Sequence, residues 1–398
     1  MKIIELHVAG FRSLREVTWK PGDLNVIIGP NGTGKSNLLR FLELISESAQ
    51  GHLGKHIKSM GGIDPLLWDG KATEISWKLK ASPVEDRRDP VRESLTYETT
   101  LARIGKGSAY RVERELLGNY YRVETGEKAD PFKLIDRRGL QAKIFDDNEH
   151  GFVAAEELLS EEETLLSLAT GPFSYNRFIP PYQRQLAAWS VYHDLHVNQD
   201  ATIRQASVAR LEKRVDPDGQ NLISVLHTLY TGDREFKREI NAAMKAAFSD
   251  DFEELVFPPA ADQRIQLRVR WKSLDREQAA ADLSDGTLRF LFLLTVLASP
   301  EAAPLIAIDE PETGLHPSML PIVAEYAVDA AQRSQVILTT HSPQFLDAFK
   351  DEIPETTIAV WENGQTVLKV LEGGVLREWL NGYSLGRLFK SGELESLV

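Results

Sequence analysis

The sequence has no cysteine in 398 residues. That absence excludes disulfides, thiolate-bound zinc, iron–sulfur clusters and thiol catalysis, and it leaves the redox compartment unmarked. Long apolar runs are missing too: the longest, Phe290 to Ala298, falls well short of the roughly 20 residues a helix needs to span a bilayer. The opening Met1-Lys2-Ile3-Ile4-Glu5 carries no secretory apolar core. A cytoplasmic location without membrane association is expected. Repeats, low-complexity tracts and sustained heptads are not found. Positive charge is in deficit, with 46 Lys and Arg against 59 Asp and Glu and a net charge of −13. Such a balance opposes wholesale coating of DNA, although a local basic surface remains compatible with it.

What is present suffices for a large core or for several packed subdomains, since 42% of residues are hydrophobic and 26% charged. The most informative stretch is Gly29, Pro30, Asn31, Gly32, Thr33, Gly34, Lys35 and Ser36, read as GPNGTGKS. An apolar run, Leu24 to Ile28, leads in, and a helical pattern leads out through Leu38, Leu39, Phe41, Leu42 and Ile45. This is a strand-loop-helix P-loop. Its glycines let successive backbone N–H groups turn toward phosphate oxygens, and the helix N-terminus adds its positive end. Lys35 is then expected on the β- and γ-phosphates, and the Ser36 hydroxyl on Mg²⁺.

Before the P-loop, residues 3 to 8 and Glu16 to Trp19 read as strands. Between them, Arg12 and Ser13 are placed either beside the nucleotide or on an exposed turn. After it, Thr73 to Ala81, Leu95 to Ile104, Tyr110 to Leu117 and Lys133 to Phe145 read as an antiparallel meander attached to the P-loop strand. The pattern then becomes helical, with Leu165, Leu166 and Leu168 and later Phe236, Ile240, Ala243, Met244, Ala247 and Phe248 at helical spacing; Pro180-Pro181 reads as a break. The expected division is an ATPase lobe over 1–155, a helical insertion over 156–250 and a second lobe over 251–398.

The second half brings further motifs. From Arg264 to Lys272 apolar residues alternate with Arg264, Arg268, Arg270 and Lys272, giving one strand with a cationic face. That face reads either as a contact for nucleic-acid phosphates or as a solvated edge guarded against pairing. Ser284, Asp285, Gly286 and Thr287 stand directly before a long apolar run, as a helix cap or an anion-binding N-terminus. Leu305 to Ile308 is an apolar strand ending in Asp309 and Glu310, where carboxylates at a strand end suit metal binding and activation of water. Val336 to Thr340 is another strand, ending in His341 before Ser342-Pro343. Leu376 to Leu388 is apolar enough to dock, on its own core or on a partner.

GPNGTGKS, LSDGT, LIAIDEPETGLHP and TTHS occur in the order of Walker A, signature, Walker B with D-loop, and switch histidine of ABC-type ATPases. Within that superfamily the chain resembles the SMC/RecF/OLD branch, through IIELHVAGFRSL, the Asn37 that follows GPNGTGKS, and LSDGTLRFL. The resemblance implies a P-loop NTPase fold of the α/β class with a mixed sheet, an antiparallel subdomain and a helical insertion. It also implies ATP sandwiched in a homodimer, held by the P-loop with Asn37, Arg12 and Ser13 of one chain and by Ser284, Asp285, Gly286 and Thr287 of the other. Asp309 and Ser36 would hold Mg²⁺, Glu310 would act as base with Lys35 and His341 on the transferred phosphate, and the D-loop, Glu312 to His316, would cross the interface.

Some family parts have no clear counterpart. The Q-loop glutamine has only Gln141 and Gln183 as candidates. Residues 342–398 are too few for the TOPRIM domain of OLD nucleases, which takes about 100 residues, so a nuclease or toxin effector is expected as a separate chain. Three functions remain open on these residues: an ATP-driven clamp or switch in DNA repair or phage defence, a nucleotide-gated scaffold with little turnover, and a transporter's ATPase subunit.

Overall fold

The alternation of Ile3–Phe11 builds the first strand, β1, and a tight turn at Arg12 and Ser13 returns the chain as β2 (Leu14–Trp19). The computed structural model describes residues 1–82, 92–121, 131–155, 159–169, 176–349, 352–371 and 384–392. The chain forms two units. The first comprises Met1–Gly22, Gly29–Trp189 and Thr357–Val370; the second comprises Asp23–Ile28, Ser190–Thr356 and Leu371–Val398. These units cut across the expected division at 155 and 250, because the strand that precedes the P-loop, β3 (Leu24–Ile28), belongs to the second unit.

In the first unit β4 (Glu74–Ala81), β5 (Arg92–Arg103), β6 (Tyr110–Tyr121), β7 (Phe132–Arg138), β8 (Gln141–Asp146) and β9 (Gly151–Ala154) extend the initial hairpin. The sheet is antiparallel and eight-stranded, in the order β2-β1-β4-β5-β6-β7-β8-β9. The meander thus attaches to β1, not to the P-loop strand. Lys133 to Phe145 is two strands and not one, since Gly139, at φ 56°, and Leu140 turn the chain between β7 and β8. Pro180-Pro181 starts the helix Ile179–Ala187 where a break was expected, because the first helical turn needs no amide donors.

The helix after the P-loop, Lys35–Gln50, buries Leu38, Leu39, Phe41, Leu42 and Ile45, as its spacing predicts. A file of edge-to-face rings runs Phe11, Phe41, Trp77, Tyr97, Tyr182, with centroids 5.0, 5.8, 6.3 and 6.1 Å apart. Each such pair adds about 0.5–1.5 kcal/mol beyond its buried area, so this file joins both helices to β1, β4 and β5. Beside it, Glu115 on β6 is fully buried. Its carboxylate accepts the N–H groups of Leu165 (2.6 Å) and Leu166 (2.8 Å) and the Tyr97 hydroxyl (3.0 Å). Arg137 on β7 lies 3.9 Å away and donates to the carbonyls of Gly139, Ser160 and Glu163.

The second unit contains β10 (Ser190–Tyr192), β11 (Ser207–Val208), β12 (Phe252–Val256), β13 (Pro259–Ala260), β14 (Arg264–Ile265), β15 (Arg268–Trp271), β16 (Gln278–Ala279), β17 (Leu305–Asp309) and β18 (Gln335–Thr340). Its parallel strands run in the order β10-β17-β18-β3. These strands read as near-continuous apolar runs because both faces are covered. The middle of the chain is therefore not a purely helical insertion: β10 is a strand of this parallel set. In register, Tyr192 lies beside Ile308, Asp309 beside Thr339, and Thr340 beside Ile28, so four strand ends line up at one edge. Ligands of open parallel sheets bind at that edge.

The helix Asp285–Ala298 packs with nearly every side chain from Thr287 onward buried. Six of them, Leu288, Phe290, Leu291, Phe292, Leu293 and Leu294, contribute about 1.5–3 kcal/mol each. Near the C-terminus the helix Leu385–Ser391 buries Leu385 and Leu388, and the Gly386 amide donates to Asp347 at 2.8 Å. Leu376, Trp379, Leu380 and Tyr383 lie outside the described residues. β19 (Glu355–Glu362), which enters the first unit at Thr357, and β20 (Gln365–Val370) form a hairpin around Asn363-Gly364, both at positive φ. That Asn-Gly pair is the turn such a hairpin favours.

Candidate functional site

In the P-loop the ammonium of Lys35 is buried and donates to the carbonyls of Gly29 (2.7 Å) and Pro30 (3.2 Å). Pro30, Asn31 and Gly32 are exposed, and Ser36 is half-buried in the first helical turn. The helix cap is Gly34, at φ 95°, so no side chain caps the first N–H groups. A Cβ at Gly34 would lie 2.0 Å from Thr366 Oγ1 and 2.5 Å from Ser13 Oγ, so glycine is required there by space as well as by φ. Thr366 Oγ1 lies 2.7 Å from Ser13 Oγ and donates to the Thr33 carbonyl at 2.8 Å, while Asn37 donates to Ser13 Oγ at 2.8 Å.

Of the two placements open for Arg12 and Ser13, the structure has Ser13 against the P-loop. Arg12 takes a left-handed φ of 45° and its amide donates to the Leu66 carbonyl at 2.7 Å. Burial, then the neighbouring Arg40, pushes its guanidinium below the usual arginine range.

At the strand ends of the second unit, Glu310 has φ 47°, a conformation that costs about 1–3 kcal/mol off glycine. It is held there by its amide, which donates to the Thr339 carbonyl (3.2 Å) and to Thr339 Oγ1 (3.1 Å). The Thr339 hydroxyl donates to Asp309. His341 Nδ1 lies 3.0 Å from Glu310 Oε1, so the strained backbone delivers the Glu310 carboxylate to the histidine. Glu312 turns inward: Thr340 donates to it, as does the His341 amide at 3.4 Å. Burial raises its carboxyl above the usual range, and these hydrogen bonds oppose the shift.

The signature residues cap their helix. Ser284 Oγ accepts from the Thr287 amide at 3.1 Å and lies 2.8 Å from its hydroxyl. Ser284 and Asp285 are exposed and Thr287 is buried. A Cβ at Gly286 would come within 2.7 Å of the Gly314 carbonyl, so the D-loop packs directly on the signature turn of the same chain.

Neither Q-loop candidate sits on a strand next to Asp309. Gln141 opens β8, and Gln183 donates to the Ala49 carbonyl from a helix. β17 is bordered by β18 on one side and by β10 on the other, and β10 is followed directly by His193, whose Nδ1 is 3.8 Å from Asp309 Oδ2. A small cleft there is lined by His193, Asp194, Arg289, Asp309, Glu310 and Thr313, among others. The triplet before His193, Ser190 to Tyr192, is too short to read as a strand.

The cationic stretch is corrected as well. Arg264 is in β14 and Arg268 and Arg270 are in β15, in different three-stranded sheets, so no single strand presents all four cations. Arg270 is matched by Glu254 and by Glu277 (2.7 Å), and Arg268 donates to Gln266. Carboxylates placed opposite on β12 and before β16 thus answer the charge of Arg270.

Comparison with known proteins agrees with this architecture. A solved Smc head bound to the C-winged helix domain of ScpA matches with a TM-score of 0.57 at 15% identity, covering 95% of this chain and 100% of that one. An Smc head domain with an extended coiled coil, bound to the C-terminal domain of ScpA derived from Pyrococcus furiosus, matches with a TM-score of 0.50 at 15% identity, covering 96% and 98%. Among curated proteins, an OLD nuclease of Thermus scotoductus is 21% identical over 360 residues and 87% of this chain. This chain spans 60% of that relative's length. The fold is that of these Smc head domains. The family model described as "AAA domain, putative AbiEii toxin, Type IV TA system" matches residues 24–347, from β3 past His341, and the chain belongs to that family.

Proposed function

We propose that the protein binds ATP with Mg²⁺ and hydrolyses it between two copies paired head to tail, as a switch in DNA repair or phage defence that acts on a separately encoded nuclease or toxin. The observation that carries the hydrolytic reading is the Glu310–His341 pair at 3.0 Å, with Glu310 held in a strained backbone conformation beside Asp309. Residues held in such conformations cluster at active sites and ligand clamps.

The residues fit the group they are proposed to hold. A helix N-terminus capped by a glycine, with a lysine ammonium folded into the preceding loop, suits a polyphosphate. Ser36 and Asp309 offer hard oxygen donors. A site with few protein ligands of that kind suits a cation that keeps several waters. Bound Mg²⁺ supplies positive charge against the phosphoryl oxygens. Lys35 neutralises charge on the same group, Glu310 accepts the proton of the attacking water, and His341 orients Glu310. Ser284 to Thr287 of the second copy close the far side.

The effector reading draws on what the relatives are: a family described as a putative toxin, a nuclease, and Smc heads bound to domains of ScpA. For the hydrolytic step, Glu310→Gln keeps size but removes the proton acceptor. Steady-state ATPase should fall roughly 10²-fold or more while ATP affinity is retained. Activity within a few-fold of wild type would show that Glu310 is not the base.

A further inference from the structure

We infer that Arg204 is a positioning residue that sets the signature loop for closure on a nucleotide held by a second copy; the inference rests on the paired-site reading above. Arg204 ends a short helical turn, Thr202–Arg204, in the part of the chain that carries no motif. It is 8% exposed, and all its partners lie in the second unit. Nε donates to the Val197 carbonyl at 2.7 Å. One terminal nitrogen donates to the carbonyls of Leu283 (2.7 Å), Ala280 (3.2 Å) and Ala281 (3.2 Å), and the other pairs with the Asp285 carboxylate.

Four of these five acceptors fall between Ala280 and Asp285, the segment that enters the signature helix. A guanidinium is a rigid planar fork of five N–H donors, so it gathers carbonyls from several directions into one plane. A lysine ammonium, a single point charge, cannot span that set. The segment is bent around Arg204, which leaves Ser284 and Asp285 exposed at the helix start. A second ion pair, Arg289 with Asp194 at 3.1 Å, ties the same helix to the same middle stretch. Residues 194–204 therefore hold the first turns of the signature helix at two points. The hydrogen bonds of Arg204 go to Leu283 and Asp285, on either side of Ser284, whose side chain is engaged by Thr287, so its influence passes through the loop.

The test mixes inactive chains. Lys35→Ala spoils the P-loop of its own chain, and Ser284→Arg spoils the signature, so their heterodimer retains one intact composite site and should recover ATPase. Arg204→Ala alone should lose at least about 10-fold in ATPase, with monomer affinity for ATP within roughly 3-fold of wild type. Mixed with Lys35→Ala it should recover activity; mixed with Ser284→Arg it should not. Arg204→Lys, which keeps the charge but not the fork, should follow the same pattern and serves if the alanine variant does not fold. Recovery with Ser284→Arg but not with Lys35→Ala would overturn the inference, as would recovery with neither partner by a folded chain, or wild-type activity of Arg204→Ala alone. Failure of the Lys35→Ala and Ser284→Arg control, despite demonstrated heterodimers, would remove the paired site itself and the inference with it.

Discussion

Thr366 is the residue that most changes the picture of the P-loop. Its hydroxyl donates to the Thr33 carbonyl and lies against Ser13, and so fixes the loop from β20, the strand that follows Asn363-Gly364. Thr366→Val keeps the shape and removes those hydrogen bonds, each worth about 0.5–1.5 kcal/mol. ATP affinity should fall roughly 3- to 10-fold with the thermal midpoint little moved; isothermal titration beside a melting curve checks both. Unchanged affinity would mean that the loop holds its shape without the hairpin. Gly34, Lys35, Asp309, Glu310 and His341 were legible in the sequence because phosphate and metal chemistry restrict residue type and spacing together. Thr366, Arg204 and His193 were not, because any polar residue tolerates a strand or a turn and only the fold reveals what it faces.

At the level of elements, the Glu115–Arg137 staple between β6 and β7 carries a stability prediction. Burial raises the Glu115 carboxyl, and the hydrogen bonds of Leu166 and Leu165 and the nearby Arg137 oppose that shift. Glu115→Ala leaves the Arg137 charge and two helix-end amides in a buried place, and breaking such a pair costs about 3–5 kcal/mol. Chemical denaturation should show a loss of that order in the first unit. A loss below about 1 kcal/mol would mean that the carbonyls of Ser160 and Glu163 suffice for Arg137. The elements themselves were legible in proportion to their length. Long periodic stretches such as Lys35–Gln50, Arg234–Phe248 and β4 to β6 came through, since burying one face demands a regular pattern. β10 has three residues and β14 two, too few for any periodicity, and the break at residues 266 and 267 lies inside an unbroken alternation. Pro180-Pro181 misled because the same residues that end helices also begin them.

For the whole molecule, the chain passes back and forth between two units, with β3 in one and the P-loop that continues it in the other. No local pattern records such crossings, which is why a division along the sequence missed them. Among the described residues no helix is long and apolar enough to cross a membrane. The central claim is that two chains share each nucleotide. It is tested most directly by the solution mass of Glu310→Gln, by light scattering or sedimentation, with ATP and Mg²⁺ and then with ADP. The account predicts twice the protomer mass with ATP, reverting with ADP or when Ser284→Arg is added to the same chain. A protomer that binds ATP at saturation and keeps the same mass in both nucleotides would contradict it.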